Sequence, residues 1–166
     1  MQNRLFFICP TDRLEPIINS AFNGVNYFYS SLGNSVGFDY HTMQYLEQMI
    51  EKNNIREIFF VLAYDNAILL DAIGARKYEC IYGMSDFYEN INIQNNNAVV
   101  LSLIHKNLFT ILSSHLSRQI KELKQHSPQI LENKIYLEGL ILNKTDLVFQ
   151  KQSCSNIIWL EDFHLN

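Results

Sequence analysis

Cysteine is scarce here and odd in number: Cys9, Cys80 and Cys154, scattered along 166 residues. That pattern builds no disulfide framework and belongs to a reducing compartment, so the cytoplasm is the expected location. Basic runs are missing too. Thirteen lysines and arginines against 17 aspartates and glutamates leave a net charge of −4 and a pI of about 5.7, which excludes the electrostatic footprint of a nucleic-acid binder. No apolar run approaches the roughly 20 residues that a membrane span needs, and residues 5–8 after Arg4 are too few for a secretory signal. The five histidines (His41, His105, His115, His126 and His164) stand at no zinc-binding spacing. What is present is 48% hydrophobic, 18% charged and 13% aromatic. That is a globular composition, and the length fits one domain over 1–166 with a sizeable core.

The stretch that organises the rest is residues 56–70. Residues 58–63 form a continuous apolar run rich in β-branched and aromatic side chains, as expected of a strand covered on both faces. Ala63-Tyr64-Asp65-Asn66 breaks it, and a helix follows to about Ile73, with Asp65 or Asn66 as N-cap and Gly74 as the stop. Before it, residues 5–9 predict a short strand stopped by Pro10. Residues 14–21 predict a helix capped by Thr11 or Asp12, and residues 25–29 a second strand. Residues 30–35 are a small-residue loop, read either as a plain turn or as a cradle of N–H groups for an anion. Met43, Leu46, Met49 and Ile50 put an amphipathic helix over 41–52.

Residues 76–97 are irregular and polar, and turns with one short helix are expected there. Val100, Leu103, Ile104, Leu108, Ile111, Leu112, Leu116, Ile120 and Leu123 draw one stripe along a long helix over 98–124, ended by Ser127-Pro128. Residues 134–142 alternate as a strand, 143–146 turn, and 147–149 return antiparallel; 157–160 read as a last strand or a docked tail. The order predicts an α/β fold: a central, mostly parallel sheet with an antiparallel C-terminal hairpin at its edge and helices on both faces.

Motif by motif, this order resembles the β-class carbonic anhydrases. Their first strand ends in Cys-x-Asp-x-Arg; here stand Cys9-Pro10-Thr11-Asp12-Arg13. Their second strand runs into Arg-Asn-x-Gly-Asn; here it is Ser30-Ser31-Leu32-Gly33-Asn34. Their Ser-Leu-Glu-Tyr-like helix signature is matched by Thr42-Met43-Gln44-Tyr45, and Gly-His-x-x-Cys-Gly by Ala63-Tyr64-Asp65-Asn66-Ala67-Ile68. Pro128 and a strand with Gly139 follow the long helix as in the family. The resemblance covers nearly the whole chain, through order and spacing rather than any intact motif.

What the resemblance implies is a shared scaffold whose metal shell has changed. The family's zinc is held by the first Cys, the His and the second Cys, and catalytic zinc needs about three protein ligands and an open position. Cys9 remains, while the His position is Tyr64, the second Cys position is Ala67, and the Asp that orients the metal-bound water is Thr11. The expectation is a zinc-free, catalytically inactive relative with no cofactor, whose vestigial pocket comprises Cys9, Thr11, Arg13, Tyr64 and Ala67. It would serve as a small-anion or protein-binding module, an anion falling to Arg13, Gly33 and Asn34. Two alternatives stay open: a carbonic-anhydrase-like lyase with a rearranged metal site or a reactive Cys9, and a structural oligomer subunit. The family's helical arm before the first strand wraps a partner subunit; with the first strand expected from about residue 4, that dimer is not the expected one here. A homodimer of another kind, built on the long helix and the sheet edges, remains open.

Overall fold

A computed structural model of the chain describes residues 2–99 and 104–152. Its elements run β1 (Asn3–Ile8), α1 (Glu15–Ala21), β2 (Val25–Ser30), a 3-10 turn (Leu32–Asn34), α2 (Tyr40–Lys52), β3 (Glu57–Ala63) and α3 (Ala67–Ile73), then α4 (Ser85–Val99), α5 (Ile104–His126), α6 (Pro128–Glu132), β4 (Tyr136–Asn143) and β5 (Val148–Lys151). The sheet order is β2-β1-β3-β4-β5. β1 pairs parallel with β2 and β3, β3 parallel with β4, and β4 antiparallel with β5. The expected parallel sheet with an antiparallel edge is what the chain forms. The apolar patch 157–160 and Cys154 lie outside the described residues.

Alternation along each strand divides the core in two, because successive side chains leave a strand on opposite faces. Leu5, Phe7 and Cys9 of the β1 segment, with Ile58, Phe60 and Leu62 of β3, face the layer built by α2, α3, α4 and α5. Phe6, Ile8, Phe59, Val61, Leu140, Leu142 and Phe149 face α1, through Leu14 and Ile18. Register adds to burial: Phe6 lies beside Phe59 and Phe7 beside Phe60, and the two pairs stack with ring centroids 5.2 and 4.4 Å apart. Such pairs contribute about 0.5–1.5 kcal/mol beyond the area they bury. Among the described residues, no helix is long and apolar enough to cross a membrane.

Two local expectations change. α1 begins at Glu15 with Leu14 at its N-cap, with no side-chain cap and with Pro16 in its first turn; neither Thr11 nor Asp12 caps it, because the Asp12 carboxylate is drawn into the sheet end. The polar stretch thought irregular holds the 15-residue α4. Its core face is Met84, Phe87, Tyr88 and Ile91, all buried, a 3-4 spacing that outweighs the low helix propensity of the asparagines after it. Residues 98 and 99 belong to α4, the long helix is described from Ile104 to His126, and the stripe residues Val100 and Leu103 lie outside the described residues.

Candidate functional site

In an open parallel sheet the crevice lies beyond the carboxyl ends of the strands. At that rim stand the turn after β1, the loop after β2 and the turn joining β3 to α3. Cys9 sits just past β1, fully buried. Its Sγ accepts the Gly33 N–H at 3.2 Å and lies 3.1 Å from Thr11 Oγ1. Asp12 N–H donates to the Cys9 carbonyl at 3.0 Å, which closes the turn.

The Asp12 side chain is buried among the three segments. Oδ2 accepts the Ala63 N–H and Oδ1 accepts from Asn66 Nδ2, both at 2.9 Å. Asn66 is fully buried and its Oδ1 accepts the Leu69 N–H at 2.8 Å, capping α3. Burial raises the Asp12 pKa above the usual carboxylate value, against the lowering effect of the Ala63 and Asn66 hydrogen bonds.

The loop after β2 is held from the far side by two residues one turn apart on α5. His115 Nε2–H donates to the Gly33 carbonyl at 2.9 Å, and Gln119 Oε1 accepts the Val36 N–H at 2.9 Å. A carbonyl only accepts, so His115 carries its proton on Nε2. Burial pushes its pKa down to about 4, with the nearby Arg118 charge acting the same way. Asn34 donates from Nδ2 to the carbonyls of Phe7 (3.0 Å) and Val61 (3.2 Å), tying β1 to β3, and its backbone N–H donates to Ser31. Gly33 has φ +61°, and a Cβ there would come within 2.8 Å of Phe87 Cζ and 3.3 Å of Ile68 Cγ2. Phe87 also meets His115 edge-on, with centroids 5.1 Å apart. Two apolar side chains therefore pack directly against the loop that grips Cys9.

The sequence-predicted residues divide. Cys9, Thr11 and Gly33 touch, and Tyr64 packs half-buried against the same apolar cluster as Cys9, its phenol pKa raised by burial. Ala67, the first residue of α3, is exposed, as are Thr11 and Arg13. The N–H groups of Gly33 and Asn34 already donate within the chain. A thiol, a phenol and a methyl do not make the three-ligand shell that zinc requires, and among the described residues no three His, Cys, Asp or Glu side chains come together to hold a metal. Sequence reading named Asn66 as a candidate cap of α3, which it is, but not as the partner of Asp12; it missed Phe87 and Gln119 altogether and gave Asp12 the wrong partner, and only the spacing from Met84 to Ile91 signalled Phe87.

A second region presents side chains outward. After α3 the chain turns at Gly74, and Leu70, Tyr78, Ile81 and Tyr82 are exposed, Tyr82 fully. The loop beneath them is pinned. Asp71 Oδ2 accepts the Tyr88 hydroxyl at 2.6 Å and the Tyr78 N–H at 3.1 Å. Arg76 Nε donates to Glu79 at 2.9 Å, and its guanidinium lies 6.0 Å from the Tyr88 ring centroid.

No family model matches the sequence, and no curated protein does. Solved structures do match in shape. The wild-type β-carbonic anhydrase CafD of Aspergillus fumigatus superposes with a TM-score of 0.74 at 17% identity, over 92% of this chain and 90% of that one. One of the two tetrameric β-carbonic anhydrases of Sordaria macrospora gives 0.69 at 16%, over 93% and 82%. A Coccomyxa β-carbonic anhydrase in complex with acetazolamide gives 0.64 at 13%, over 90% and 71%. The chain has the β-carbonic anhydrase fold; at these identities the likeness is one of fold.

Proposed function

We propose that this chain is a zinc-free, non-catalytic protein on the β-carbonic anhydrase scaffold, acting as a protein-binding module. The observation that carries the reading is the environment of Cys9. The one thiol retained from the metal shell accepts a backbone N–H and meets a threonine hydroxyl, beside a loop packed by Phe87 and Ile68. Lewis-acid hydration needs an ion with an open position and room for a substrate, and side chains at 64 and 67 offer neither a nitrogen nor a second sulfur. A small anion is the less favoured ligand, since of the three residues expected to bind it the N–H groups of Gly33 and Asn34 are engaged and Arg13 is exposed. The loop of Tyr78, Ile81 and Tyr82 supports a protein partner instead: exposed tyrosines on a pinned loop are of the residue type that dominates protein interfaces.

The test is CO2 hydration by the full chain after incubation with zinc, together with its metal content. We expect no turnover above buffer and far less than one zinc per chain; stoichiometric zinc with turnover would remove the reading. A photo-cross-linking residue at Tyr82 is expected to trap a protein in the native cell, whereas one at Tyr45 of α2, also exposed, is not. Equal trapping at both positions would reject the loop as the docking surface.

A further inference from the structure

We infer that the link from Asp12 to Ala63 and Asn66 is the cross-link that holds the sheet rim together, in the place where the scaffold's metal would tie the same segments. The donor set at the rim does not fit zinc, yet the ends of β1 and β3 and the start of α3 still have to be joined. The hydrogen bonds have one consistent direction. Leu69 N–H donates to Asn66 Oδ1, Asn66 Nδ2 donates to Asp12 Oδ1, and Ala63 N–H donates to Asp12 Oδ2. Both Asp12 oxygens accept and both partners are buried, so neither end can turn to water. The turn is fixed in addition by Asp12 N–H on the Cys9 carbonyl. One side chain thus spans a sequence separation of 54 residues to Asn66, as a shared metal ligand set does, and leaves Cys9 free to accept from Gly33. The link operates whether or not the exposed loop engages a partner.

Directionality makes the inference testable by exchange. Asp12→Asn alone turns an amide donor toward either the Ala63 N–H or the Asn66 amide, leaving a buried donor unpaired. The expected result is a fall in Tm of roughly 4–8 °C. Asp12→Asn combined with Asn66→Asp restores every bond: residue 12 accepts from Ala63 and donates to residue 66, which still caps α3. The double variant should regain most of the lost Tm, a coupling that independent sites do not show. In the unaltered full chain, Tm should move by less than about 1 °C with zinc or with a chelator, because metal-dependent folds respond to both. A double variant at least as unstable as the single one would overturn the inference. If Asp12→Asn does not fold, the metal arm decides: a chelator-induced loss of Tm overturns it, and indifference to zinc and chelator upholds it.

Discussion

The rim above Cys9 and the loop from Arg76 to Met84 belong to the same half of the molecule and treat their polar and aromatic groups in opposite ways. At the rim, Cys9, Asp12, Asn34, Asn66, His115 and Gln119 all turn inward, and each has a hydrogen-bond partner within the chain. At the loop, the hydrogen bonds of Asp71 and Arg76 lie underneath while Tyr78, Ile81 and Tyr82 face out. Burying a polar group without a partner costs free energy, so most of the inward cluster closes on itself; in the loop after β2, Asn34 Oδ1 and Ser31 Oγ are buried with no hydrogen-bond partner. On the proposed reading, the contrast directs the search for a partner to the outward aromatics rather than to the crevice the fold offers.

Three measurements would break or sharpen the contrast. The largest effect is expected from Phe87→Ala, since Phe87 is buried against Gly33, Tyr88 and His115; a loss of about 3–5 kcal/mol in denaturant unfolding is expected. A loss below 1 kcal/mol would mean that Phe87 does not fill the rim.

Next comes acid. Burial depresses the pKa of His115 in the folded chain to about 4, from an ordinary value of 6.5, so the unfolded chain takes up the proton first. Its contribution is complete above pH 6.5 and is lost as pH falls toward 4, by about 3 kcal/mol in all. The stability difference between the protein and His115→Gln should therefore shrink over that window; a difference independent of pH would place His115 in water rather than in the core.

The smallest effect belongs to the loop. Tyr82→Ala should change stability by less than about 0.5 kcal/mol, as expected of a side chain that contacts solvent alone. A larger loss would remove the distinction between the two regions.

Much of the architecture could be read in advance. The continuous apolar run over 58–63 and the stripe along the long helix are signals of local geometry, and the strands and helices fall there with edges moved by a few residues. The site was legible only in part. Tyr64 and Ala67 stand where the resembled family has ligands, and Asn66 between them reads as the cap of α3, but nothing near them in sequence indicates that Asn66 also meets Asp12. Asp12 lies within reach of a helix start and, with Thr11, reads as a candidate cap, since local pairing is all a linear reading weighs. Its actual partners are 51 and 54 residues away. The grip of His115 on Gly33 spans 82 residues, and the four-residue run Gln94 to Asn97 hid the helix that brings Phe87 over the same glycine.

By itself, the sequence determined the parallel α/β framework and the residue types, Tyr64 and Ala67, that stand where the resembled family has metal ligands. The framework follows from residue type and from periods of about two and 3.6 residues, which the backbone enforces within a few residues of chain. Tertiary structure alone decided which buried donor meets which buried acceptor, because a hydrogen bond requires its two atoms within about 3 Å, and that proximity is created between distant segments only when the sheet and its covering helices close.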